Sequence, residues 1–370
     1  MKWHSPHRKN RKKKKVVRNN VHSSQAKFQN NCKRVQKKRE NKDEKFDTLY
    51  IIGNGFDLHH GIKTNYMDFR EYLKSQYIEL FEELSQYYRI DKDSKLWSNF
   101  EKGLKDFDYT ELVMSFGDYL PNYASDEFYE RDRYVLELYV KNKLDSLRHE
   151  LQEAFNNWIN DLKMPSNLCD EKIKLDNSAC FLNFNYTGIL ETYYNVPRKN
   201  ITYIHNKSGE GKNLLYGHAW NPYYWAAQRN EKMPKNLTEE ARILWKEKQA
   251  DKYDYSEERA YIAIDNFFSK IYKNCKVIIS NNEQFFSKIK GVQKIYILGH
   301  SMSEVDLPYF KKIIKSIKFK KVNWIVSSYN DDFTYKRKIL INLGVNSQKI
   351  NSISLSYLKR YKQLSLFNNE

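Results

Sequence analysis

The sequence predicts an α/β fold: a mostly parallel, doubly wound sheet with large helical insertions, behind a disordered basic N-terminal tail. Three observations carry this. Six short apolar runs rich in β-branched and aromatic residues recur along the chain, separated by stretches of helical periodicity. The first run, in "LYIIGNGFDLHHG", breaks on glycines and resumes as something helical, which reads as a buried strand feeding a helix. Lysine and arginine crowd the first 46 residues, where no apolar period exists.

That tail holds 17 Lys/Arg against 3 Asp/Glu, so +14 of the chain's +18 lies there and +4 remains for the rest. "RKNRKKKK" (8 to 15) and "KRVQKKRENK" (33 to 42) cannot bury enough apolar surface to fold. The tail could draw weak RNA binding or an anionic membrane surface by counterion release, or be a plain solvated extension. Before Phe46 at its boundary, Trp3 and Phe28 are its only Phe, Trp or Tyr for stacking on bases.

From residue 47 to about 360 the chain reads as one domain, and 40% hydrophobic residues suffice for a sizeable core. The first strand is Thr48 to Ile52, followed by a connection over Gly53 to Thr64 and a helix from Tyr66 capped by Thr64 or Asn65. A helical insertion fills about 65 to 164, with amphipathic runs such as "YVLELYVKNKLDSLRHELQEAFNNWI". Strands at Ala179 to Phe184 and Ile201 to Ile204 come next, then a second helical stretch at about 237 to 273. Strands at Lys294 to Leu298, Val322 to Ser327 and Ser352 to Leu355 alternate with helices at "VDLPYFKKIIKSI" and "DFTYKRKILINL". That alternation is the rhythm of a doubly wound sheet.

No apolar run nears the ~20 residues a membrane helix needs, and the N-terminus lacks a signal peptide's apolar core, so a cytoplasmic location is expected. Cys32, Cys169, Cys180 and Cys275 show no CxxC spacing and are expected to stay reduced.

Ligands of open α/β sheets sit beyond the carboxyl ends of the strands. There the sequence puts "GNGFD" (53 to 57), "NYT" (185 to 187), "HNKSG" (205 to 209) and "GHSMSEVD" (299 to 306). Each could cap a turn; their coincidence at one edge argues for a polar site. "GHSMS" imitates a nucleophile elbow, but Ser303 stands where glycine is needed and no histidine follows His300. HExxH, GxxxxGK[ST] and a spaced Cys/His cluster are all absent, so no metal is expected.

Together "YIIGNGFDLHHGIKTNYMDFREYL", "LWSNFEKGL", "FLNFNYT", "ITYIHNKSG", "LLYGHAW", "FFSKIYKN" and "IYILGHSMSEVDLPYF" resemble the bacterial AbiH family, named for abortive infection by bacteriophage. The motifs run in order from 49 to 310, about 70% of the chain. His205-Asn206 stands where AbiH-like chains usually show His-Gly. The resemblance implies phage defence in which the infected cell dies or stops growing, answering a phage-derived trigger, with a homo-oligomer as one arrangement.

A more distant likeness is to sirtuin-type proteins, which carry a GAG loop, a following Gly-Ile pair, Asp-Phe-Arg, an Asn-Ile-Asp or Asn-Tyr-Asp, His-Gly and a Gly-x-Ser loop. Gly53, Gly55, Gly61 and Ile62 keep the first spacing, Asp68-Phe69-Arg70 follows, and Asn185-Tyr186, His205 and Gly299-His300-Ser301 match the later motifs. Thr187 replaces the usual Asp, Asn206 the glycine, and the zinc module's cysteines are missing. The likeness implies a Rossmann-like, sirtuin-like, metal-free domain with NAD as substrate or ligand. Asn185 and His205 are then the catalytic pair, orienting ribose and water and accepting a proton. Gly53, Asn54 and Gly55 cradle the diphosphate, with Phe56 and Asp57 completing the loop. Gly299, His300, Ser301 and Asp306 form the last loop, with Ser301 and Asp306 on the adenosine side. Asp57 has a second reading, as a cap of the following helix. His59, His60 and His218 are undecided. Two rivals remain: a nucleotide sensor without turnover, and an RNA-targeting toxin using the tail.

Overall fold

A computed structural model of the chain describes residues 46–88, 95–166, 172–221, 226, 233–251, 253–318, 321–330 and 332–358. The basic tail, Cys32 and Cys169 lie outside the described residues.

Six strands form one sheet: β1 (Thr48–Ile52), β2 (Cys180–Asn183), β3 (Ile201–Tyr203), β4 (Lys294–Leu298), β5 (Asn323–Ser327) and β6 (Ile350–Ile353). Their order is β3-β2-β1-β4-β5-β6 and every pairing is parallel. The chain therefore winds one way from β1 to β3 and the other way from β4 to β6, and the switch point lies between β1 and β4. Five strands sit within one residue of their expected bounds. The sixth runs two residues earlier than Ser352 to Leu355, because Ile350 pairs with Trp324 and packs inward, whereas Ser354 and Leu355 already lie past the pairing.

Side chains alternate across the sheet as the pleat requires. Leu49 and Ile51 face one core with Leu182, Ile295, Ile297, Trp324 and Val326; Tyr50 and Ile52 face the other with Phe181 and Tyr203. Tyr50 stacks between its register partners Phe181 and Tyr296, with ring centroids 4.9 Å away on each side. Aromatic pairs across strands add to burial here.

The expected connection Gly53 to Thr64 contains a helix of its own, α1 (Asn54–His59), so the turn after β1 is only Gly53. Next come α2 (Tyr66–Gln76) and α3 (Val135–Asp161), both within the expected insertion. Asn65 is the cap of α2: its side chain accepts from Met67 N–H, and Asp68 answers from the third position. The second helical stretch yields Glu239–Asp251 and α4 (Tyr255–Lys270). Phe69, Leu73, Trp97, Phe100, Phe155, Trp158, Ile264 and Phe268 join α2, α3 and α4 in a third core, so the two expected helical regions make one cap. On the sheet, α5 (Leu307–Ser316) and α6 (Phe333–Asn342) follow β4 and β5.

Candidate functional site

At the switch point the two loops interlock through glycine. Gly53 N–H donates to Leu298 O at 2.9 Å and Gly55 N–H donates to Gly299 O at 2.7 Å. A Cβ on Gly53 would stand 2.5 Å from His300 Cα, and one on Gly55 would stand 2.9 Å from Gly299 O. Gly299 itself has φ +66°, and a Cβ there would lie 2.0 Å from Phe56 N. The glycines are there for backbone against backbone. Of the N–H groups expected to cradle a diphosphate, those of Gly53 and Gly55 are thus donated to carbonyls. Asn54 spends its Nδ2 on Thr64 O at 2.8 Å, pinning the loop before α2. The Phe56 side chain is wholly buried in the sheet core against Tyr194 and His60.

Above these loops lies a cavity of about 690 Å³. Its wall includes Gly53, Asn54, Gly55, Asp57, Asn185, His205, Gly299, His300, Ser301 and Asp306, so ten of the eleven expected site residues meet there. The strand ends contribute the floor, and Tyr66, Phe155, Trp158 and Ile159 of the helical cap contribute the roof.

Asp57 caps no helix through its side chain. It is completely buried; Oδ1 accepts from Asn185 Nδ2 at 2.7 Å and Oδ2 accepts from Thr187 Oγ1 at 2.6 Å. Burial pushes its carboxyl up to about 7, against the opposing pull of those two hydrogen bonds. Thr187 thus has a role of its own, as a donor to this carboxylate. Asn185 Nδ2 also donates to Gly53 O at 3.0 Å, so both its hydrogens are engaged and Oδ1 is the atom left to receive a ligand hydroxyl.

His205 is buried, and its Nε2 has no hydrogen-bond partner. Burial holds its imidazole well below the usual histidine range, with the Lys273 ammonium adding to the effect. Nε2 lies 3.9 Å from Asp306 Oδ1, and His300 Nε2 lies 3.7 Å from Asp306 Oδ2. Burial also lowers His300, to about 4. Asn206, in the place of a glycine, adopts φ +67° itself and anchors its Nδ2 on Asn213 O at 2.8 Å. Asparagine tolerates that left-handed backbone, so the loop keeps a glycine-like turn.

Two residues of this site were not singled out from the sequence. Lys273, buried after α4, donates to Glu101 Oε1 at 2.9 Å and to Asp306 Oδ1 at 3.3 Å. Glu101 also accepts from the backbone of Gly217. Both sit in quoted motifs, "LWSNFEKGL" and "FFSKIYKN"; a charged residue inside an aromatic-rich run was the available signal. "LLYGHAW" has a supporting part: His218 pairs with Tyr272, and Gly217 (φ +147°) admits Ile271 O where a Cβ would stand 2.2 Å away. Of the undecided histidines, His60 bridges Phe56 O and Tyr194 OH, each at 2.6 Å, and His59 lines the cavity.

Among the described residues no helix is long and apolar enough to cross a membrane, and no group of three His, Cys, Asp or Glu is placed to hold a metal ion. Cys180 and Cys275 are buried, and Cys275 Sγ donates to Val305 O at 3.4 Å. No curated protein and no solved structure matches the chain. A family model described as bacteriophage abortive infection AbiH matches residues 49–328, a span that takes in β1 from its second residue, β2 to β5 and every predicted site residue. The chain belongs to the AbiH family.

Proposed function

We propose that the protein serves abortive infection by admitting a nucleotide to this cavity and hydrolysing NAD there to nicotinamide and ADP-ribose. The observation that carries the reading is His205: its Nε2 is buried without a partner, and the residue lines the cavity together with Asn185 and Asp306. A neutral imidazole in that position is a proton acceptor at cellular pH. The charge of the wall supports it. Asp57, Glu101, Asp306 and Asp332 line the cavity, while the one lining cation among the described residues, Lys336, is tied to Asp332 at 2.6 Å and to Ser327 O at 3.0 Å. Within it the carboxylate of Asp306, kept anionic by the Lys273 ammonium, favours a reacting centre that becomes positive, as the ribose does when the bond to nicotinamide breaks. With the glycine N–H groups engaged, the diphosphate falls to the hydroxyls of Ser301, Ser327, Ser328, Ser354 and Ser356.

The test is nicotinamide release from NAD by the purified full chain, followed by chromatography. His205→Ala should lower the rate by about 10² to 10⁴. A second reading, a nucleotide sensor without turnover, is favoured by one observation: both carboxylate oxygens of Asp57 are already held, by Asn185 and Thr187. Tight NAD binding with no nicotinamide release would select it.

A further inference from the structure

His205 and His300 both face Asp306, yet the hydrogen bonds at their far sides fix opposite tautomers. Nε2 of His205 has no partner, so its bond to the Phe184 carbonyl is made by Nδ1, which carries the proton there. That leaves Nε2 with a lone pair. His300 is the reverse: its Nδ1 accepts from Met302 N–H at 2.8 Å, so its hydrogen sits on Nε2, pointing toward Asp306 Oδ2 at 3.7 Å. The Nε2 lone pair of His205 and the Oδ1 oxygen of Asp306 are therefore two acceptors 3.9 Å apart, with no hydrogen of their own between them. The arrangement is held from behind. Lys273 reaches Asp306 Oδ1 at 3.3 Å and is itself clamped by Glu101 at 2.9 Å, while Ser303 Oγ donates to Asp306 Oδ2 at 3.3 Å. The rings of Phe184 and Tyr309 pack on His205.

We infer that His205 Nε2 and Asp306 Oδ1 form a two-acceptor seat for the water that attacks the ribose, with Lys273 as a positioning residue behind Asp306. This deepens the proposed NAD hydrolysis and rests on it, and it moves Asp306 from the adenosine side to the reacting end. Water is a small donor with two hydrogens, one for each acceptor. In the step, the water oxygen forms a bond to C1′ of the nicotinamide ribose. The C1′–N bond breaks with its electron pair passing to the pyridinium nitrogen, and neutral nicotinamide leaves. The proton lost by water goes to His205 Nε2, where the Asp306 carboxylate stabilises the imidazolium. Return of nicotinamide to the same ribosyl centre needs no water.

Two measurements on the full chain test the seat. The first is the ¹⁵N spectrum of the histidine rings, with His205 assigned by its loss in His205→Gln. The expected result is a neutral ring with hydrogen on Nδ1 near neutral pH, and hydrogen on Nε2 overturns the seat whatever the turnover. The second compares hydrolysis of NAD with exchange of labelled nicotinamide into NAD, in the parent chain and in Asp306→Asn. Losing an acceptor should lower hydrolysis relative to exchange by tenfold or more. An unchanged ratio in an active variant overturns the seat and leaves NAD cleavage standing. If Asp306→Asn fails to fold, Lys273→Arg, which keeps the charge but displaces its partner, should shift the ratio in the same direction; an unchanged ratio there counts against the seat equally. A parent chain that neither hydrolyses nor exchanges overturns both the cleavage reading and the nucleophile seat.

Discussion

Asn185 Nδ2 donates to Asp57 Oδ1 at 2.7 Å, joining the end of β2 to the helix that leaves β1. The same nitrogen donates to Gly53 O at 3.0 Å, so one amide fastens both the carboxylate and the turn. Asn185→Ala removes both bonds at once and leaves Asp57 buried with Thr187 alone. The expected cost is about 1.5–3 kcal/mol in urea unfolding, so loss of activity in this variant must be read beside its stability. Thr187→Val should raise the Asp57 carboxyl beyond its value of about 7, because a hydrogen bond that favours the anion is gone. A ¹³C titration of the carboxyl reads this directly.

The pH dependence of stability follows from the buried groups. His218 and His300 are both lowered to about 4 by burial. Their contribution is fully present above the unfolded value near 6.5 and is lost as pH falls through about 4, since the unfolded chain binds the protons first. Asp57 has the opposite sign: raised to about 7, it contributes below the ordinary carboxylate value near 4 and loses that contribution as pH rises through 7. With three lowered histidines, His205 among them, against the raised carboxyls of Asp57 and Glu101, the thermal midpoint should climb from pH 4 to about 6.5. Asp57→Asn should steepen that climb between about pH 4 and 6.5 and remove the fall from there to about 7.

The interlocked loops predict where glycine cannot be replaced. Gly299→Ala puts a Cβ 2.0 Å from Phe56 N at a positive φ, and Gly55→Val crowds the Gly299 carbonyl. Each should cost about 3 kcal/mol or more, measured by unfolding or by the fraction of soluble protein. Gly61→Ala serves as the contrast: it too has a positive φ, but nothing lies within 4 Å of its Cβ, and its cost should stay near 1 kcal/mol.

Lys273 holds two buried carboxylates. Lys273→Met leaves Glu101 and Asp306 facing one another without the cation, and should destabilise the chain by about 3–5 kcal/mol. Adding Glu101→Leu removes one stranded charge and should recover part of the loss. That non-additivity, read from a double-mutant cycle in urea, distinguishes a charge cluster from simple packing.

The sheet was legible because a parallel strand buried on both faces is an almost unbroken apolar run, and its carboxyl end is where the polar residues begin. That rule marked the segments that hold Asn185, His205, His300 and Asp306, and the family likeness singled the residues out within them. Glu101 and Lys273 were not singled out, because they come from parts of the cap far apart in sequence, a short helix and the turn after α4, and meet only when the cap core closes. The pause at "GNG" was visible, but its cause was not. A glycine needed for a ligand and a glycine needed for another backbone look the same in sequence, and only the position of Gly299 against Gly53 and Gly55 separates them.

The measurement that bears most directly on the account is the NAD content of cells expressing the chain during phage challenge, with His205→Ala alongside at equal expression. The account predicts that NAD falls and nicotinamide accumulates before phage matures, and that the variant loses both the fall and the protection. Protection by the parent chain with NAD unchanged would contradict it.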